Sequence, residues 1–158
     1  MDNGNFIKPA NVRGASHDIK SAAEGATQTF KKGAPLVNSS GYLIAATSEA
    51  AVDIVGFAAE DGHNSTAAGD DNCQYYPARP GDEWLACVDG TIAQAQLFTD
   101  YGLATDATYT DIWVVDLDEA TANQKCVQIV ELVDPVGTVN GLVKFMLNEY
   151  GLATDGLK

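Results

Sequence analysis

The stretch CQYYPARPGDEWLACVDG, residues 73–90, decides how this chain is read. Two short runs of aromatic and aliphatic residues, CQYYPA at 73–78 and EWLACV at 83–88, are separated by Pro80-Gly81 and followed by Asp89-Gly90. Proline presets the first corner of a turn, while glycine and Asp-Gly accept the positive φ of tight turns, so each run reads as a short strand. The same texture continues outward. Upstream lie TQTF at 27–30, YLIAA at 42–46 behind Ser39-Ser40-Gly41, and DIVGFAA at 53–59. Downstream lie IAQAQLF at 92–98, DIWVVDL at 111–117, CVQIVELV at 126–133 and LVKFML at 142–147, punctuated by Pro135, Gly137 and Asn140-Gly141. Turn signals about every 8–12 residues predict an all-β fold, a small β-barrel or sandwich with little helix. Hairpins are expected at 89–90 and 140–141, and a core that includes Val55, Phe57, Trp84, Cys87, Ile112, Val114, Ile129 and Val143. A helical turn is allowed near Asp18 to Glu24 and another over Asp118 to Gln124, and the alanine-rich stretch 44–51 is ambiguous.

The 158 residues suit one domain. Residues 1–26 have scattered apolar residues and no sustained period, so they read as an extended N-terminal arm, with the domain and a short C-terminal tail over 27–158. Charge divides at a similar place. Residues 1–32 carry five basic residues against three acidic ones, whereas the remainder sums to −15 of the total −13. An acidic body of this kind repels nucleic acid, which excludes that class of partner. The arm is expected to contact an acidic protein surface, with Phe6 and Ile7 as apolar anchors and Lys8, Arg13 and Lys20 meeting carboxylates. No stretch approaches the ~20 apolar residues of a membrane-spanning helix, and Met1-Asp-Asn-Gly-Asn-Phe lacks the marks of a secretory signal. Synthesis in a reducing cytoplasm follows, with Cys73, Cys87 and Cys126 as small core residues and no disulfide among them.

Motifs for chemistry are wanting. His17 and His63 stand near no nucleophile pattern, and Gly33, Gly41, Gly56 and Gly62 lack the lysine and hydroxyl of a phosphate loop. The best cation candidate is the loop Glu60, Asp61, His63, Asn64, Asp70, Asp71 and Asn72, whose spacing fails the EF-hand pattern and which reads first as a solvated connection. Asp82-Glu83 and Asp116, Asp118 and Glu119 read as strand ends. No enzyme activity, metal or cofactor is expected. Tyr75, Tyr76, Trp84, Tyr109 and Trp113 leave room for a carbohydrate- or receptor-binding module, though most lie inside strand candidates. DYGLATDA at 100–107 returns as EYGLATDG at 149–156, and both copies read as strand-exit turns, or else as segments that meet equivalent surfaces in an assembly.

TFKKGAPLVNSSGYLIAAT at 29–47, IVGFAAEDGHN at 54–64, YYPARPGDEWLACV at 75–88 and VQIVELVDPVG with NGLVKF over 127–145 resemble the head-decoration, or cement, proteins of tailed bacteriophages. The shared features are a Gly-Ala-Pro turn, here Gly33-Ala34-Pro35, a hydrophobic strand after Gly41, and a glycine-containing strand at Val55-Gly56-Phe57. The resemblance implies a β-barrel or sandwich on the outer capsid surface of the virion, commonly a homotrimer, clamping major capsid protein subunits together. It carries over no catalytic residue.

Overall fold

In the computed structural model, residues 6–10, 18–47 and 52–153 are described, and they are almost entirely β. The strands are β1 (Lys8–Pro9), β2 (Lys20–Ala23), β3 (Pro35–Ser39), β4 (Tyr42–Ala45), β5 (Ile54–Ala58), β6 (Asn72–Pro77), β7 (Glu83–Cys87), β8 (Asp100–Thr105), β9 (Trp113–Asp116), β10 (Val127–Leu132) and β11 (Leu142–Leu147). Two antiparallel sheets result, one in the order β1-β7-β11-β10-β8-β9 and the other β2-β6-β5-β3-β4. Strand twist curls each sheet so that strands at or near its two ends are bridged. A parallel bridge between Val88 and Val115 joins the exit of β7 to β9, and another between Glu24 and Leu43 joins the exit of β2 to β4.

One core unites the sheets. The alternation of β11 buries Val143, Phe145 and Leu147 and leaves Leu142, Lys144 and Met146 half-buried. Phe57 of β5 meets Trp84 of β7 with ring centroids 4.4 Å apart, and Phe145 stands edge-on to Phe57 at 6.1 Å. Around them pack Leu36, Ile54, Val88, Ile129 and Val143. On β9, Trp113 and Val115 enter this core, while Val114 turns to the opposite face and joins Ile112 and Cys87 in a smaller cluster. The expected core residues are buried except Val55, which is half-buried, because the fully buried positions of β5 are Ile54 and Gly56 to Ala58.

The described parts of the N-terminal segment supply strands to both sheets. β1 lies along the edge of β7, pairing Lys8 with Leu85 and Pro9 with Trp84, an edge where proline's missing N–H breaks no ladder. β2 pairs along β6 from Lys20–Tyr75 to Ala23–Asn72, so a strand stands where a helical turn was allowed. The tight hairpin of the molecule is β3–β4, where Ser40 and Gly41 take φ of +53° and +90° and the Asn38 side chain accepts the Gly41 N–H at 2.8 Å. Asp89-Gly90 makes no hairpin, since β7 pairs with β11 and β1 rather than with β8. β10 and β11 do form a hairpin, whose chain reversal is at Pro135–Thr138, one turn before Asn140-Gly141.

Two strand candidates are irregular for local reasons. In IAQAQLF the Gln96 side chain accepts the Ala93 N–H and donates to the Thr91 carbonyl, which favours a 3-10 turn over 94–96. In TQTF, Gln28 instead accepts the Ala45 N–H through its side chain. The first repeat copy is strand β8, not a strand-exit turn. The second, described as far as Ala153, is a turn leading to a bridge between Leu152 and Ile54. Leu103 and Leu152 are both buried, and a side chain at Gly151 would overlap the Cys126 carbonyl, which explains glycine there.

Ile7 is 1% exposed although it precedes every sequence signal of the domain. Ile7→Ala is therefore expected to lower stability by about 2–5 kcal/mol in urea denaturation. A loss below about 0.5 kcal/mol would show that the N-terminal segment is dispensable to the fold.

Candidate interaction surfaces

The residues expected to contact a partner are dispersed. Phe6 is half-buried beneath the Lys32 ammonium, 4.8 Å from its ring centroid, and Ile7 is committed to the core rather than to a partner's pocket. Lys8 and Lys20 are exposed on β1 and β2, and Arg13 lies outside the described residues, as does His17. Beside Phe6, Lys31, Lys32, Asp61, Asp111 and Ile112 line an open cleft of about 360 Å³. Its charges answer one another. Lys31 stands 3.3 Å from Asp61, whose carboxyl is held below its ordinary range by the Lys32 backbone N–H and the Lys31 side chain despite some desolvation.

The acidic loop after β5 is built around one carboxylate. Glu24, at the end of β2, is fully buried and accepts the backbone N–H groups of His63 at 3.1 Å and Asn64 at 2.9 Å, with His63 Nδ1 a further 2.9 Å contact. Asn64, also buried, donates to the carbonyls of Gly25 and Ala67 and accepts from Thr66. Thr66 Oγ1 in turn donates to Asp70 at 2.7 Å. The loop's polar groups thus bind protein atoms, as burial requires. Among the described residues no group of three or more His, Cys, Asp or Glu is placed to hold a metal ion. Burial pushes the thiols of Cys73 and Cys126 up to about 12, with Glu24 and Glu60 adding to the effect at Cys73, so both stay protonated and poorly nucleophilic at neutral pH.

Of the exposed large apolar residues, Ile19, Tyr109 and Tyr150 stand apart, while Phe98 and three valines lie along a different flank. Segments 90–92 and 137–140 zip together through Gly137 N–H to Ile92 O, Ile92 N–H to Thr138 O and Asn140 N–H to Gly90 O, at 2.7–2.9 Å. This leaves Val136 57% and Val139 67% exposed, with Val133 exposed at the exit of β10. Alongside β10, the Phe98 N–H donates to the Ile129 carbonyl at 2.8 Å, and the ring is 69% exposed. Ile129 precedes Val133 by four residues, so about 13 Å of strand separates the two levels. Phe98 also has φ of +62°, a left-handed conformation that costs a bulky residue about 1–3 kcal/mol. The turn signals at Asp89-Gly90, Pro135, Gly137 and Asn140-Gly141 mark the segments of this flank in the sequence, but nothing there marks Phe98 as exposed.

Carboxylates gather where the first sheet closes. Asp89 accepts the Leu117 N–H at 2.9 Å, yet partial desolvation, with Asp116 and Asp118 nearby, raises its carboxyl above the usual range. No protein-family model matches the chain, and no curated protein matches it significantly.

Because the folded state holds the Asp89 proton more tightly than the unfolded chain, this site favours folding at low pH. That contribution fades as pH rises from the ordinary carboxylate range through Asp89's raised one. Asp89→Asn keeps an acceptor for Leu117 and removes the charge. It is expected to unfold at higher urea than the wild type at pH 7, with the advantage vanishing on acidification. An unchanged or lower midpoint at pH 7 would contradict this.

Proposed function

We propose that the chain is a non-catalytic structural module that decorates the outer surface of a tailed-bacteriophage head, binding the major capsid protein and stabilising contacts between its subunits. One observation carries the reading: an acidic all-β body of net charge −13 leaves Phe98, Val133, Val136 and Val139 exposed on one flank of the described structure. Single exposed apolar residues are ordinary, but several on one flank mark a surface for association. The resemblance of about residues 28–147 to cement proteins gives that association its setting, the virion, and trimerisation would multiply weak contacts by making each further one intramolecular.

The carbohydrate-binding alternative finds less support, since Trp84 and Trp113 are buried and Tyr75 and Tyr76 are half-buried, which leaves Tyr109 as the one exposed ring of the five. A stacking platform needs exposed rings.

Co-sedimentation of the purified protein with heads that lack it, taken from the virus that encodes it, tests the reading. Saturable binding with an increased temperature of head disruption is expected. Absence of binding at micromolar protein would overturn it.

A further inference from the structure

The flank just described holds an aromatic residue in a backbone conformation that works against its presence. Glycine or asparagine would adopt φ near +62° at Phe98 with less strain, and the exposed ring returns little burial to the fold. A strained, exposed side chain of this size serves something outside the chain.

Charge narrows what that is. Segments 89–100 and 131–140 contain Asp89, Asp100, Glu131 and Asp134 and no lysine or arginine. Glu131 meets Lys144 at 2.7 Å and Asp134 accepts the Leu142 N–H, whereas the Asp100 carboxylate, two residues from Phe98 in the chain, accepts only from the neutral Gln128 side chain at 3.3 Å among the described residues. A second copy of so acidic a chain would bring like charge to this flank.

We infer that Phe98 is an anchor that inserts into an apolar pocket rimmed by lysine or arginine on a protein partner, with Val136 and Val139 making a separate apolar contact farther along the flank. This rests on the reading of the chain as a capsid-binding module and names the chemistry of the partner's site. The left-handed backbone fixes the direction of the Phe98 Cα–Cβ bond in advance, so less backbone freedom is lost when the ring docks. The acidic surroundings steer the encounter and make it sensitive to salt.

The test compares wild type with Phe98→Gly and Phe98→Asn, both of which tolerate the backbone, for binding to heads lacking the protein and for urea stability. Both variants are expected to bind at least tenfold more weakly and to unfold at no lower urea concentration than wild type, and added salt should weaken wild-type binding. Undiminished binding by both variants would overturn the anchor while leaving the capsid reading intact. A stability loss matching the loss of binding would make Phe98 a structural residue and overturn it equally. Phe98-dependent self-association of the free protein would assign the flank to a second copy instead. Failure of wild type to bind heads would remove the capsid reading and this inference together.

Discussion

The contact between Phe57 and Trp84 is the one on which the rest of this structure depends. Each sheet alone is a strip of four- to six-residue strands, with edge strand β1 shorter still, and its apolar face is too small to sustain an independent core. With the rings 4.4 Å apart and Phe145 against them, the inner faces of β5, β7 and β11 become one interior. The parallel bridges that close each sheet then add few hydrogen bonds, but they leave few free strand edges, which protects a small β protein from pairing with its neighbours.

The N-terminal segment serves the same end from outside. β1 covers one edge of β7 and β2 one edge of β6, and Glu24, at the end of β2, supplies the acceptor that organises the loop after β5. Within a segment expected as an extended arm, the described residues thus supply a strand to each sheet. The flank of Phe98 and the valines is the surface we propose for a partner.

The class of fold was legible because β5, β6, β7, β9, β10 and β11 each announce themselves by aromatic and branched residues between turn signals. What was not legible has physical causes. β1 is two residues long and includes a proline, so no periodicity could expose it. Glu24 looks like any surface carboxylate, and its partners at His63 and Asn64 lie 39 and 40 residues away. Gln96 redirected a strand-like run through bonds to its own neighbours, and that redirection brought Phe98 to the surface. Of the two expected apolar anchors, Ile7 is hydrophobic because it fills the chain's own interior, while Phe6 lines the cleft beneath Lys32.

The central claim is that two curled sheets share one cooperative core and present the apolar flank as a rigid unit. It is tested most directly by following urea unfolding at both sheets in one sample. Tryptophan fluorescence reports the first sheet through Trp84 and Trp113, and labelling of the Cys73 thiol, localised by peptide mass mapping, reports the second. Coincident transitions at a single urea concentration are predicted. Labelling of Cys73 well before the fluorescence change would show that the second sheet opens on its own, and would contradict the account.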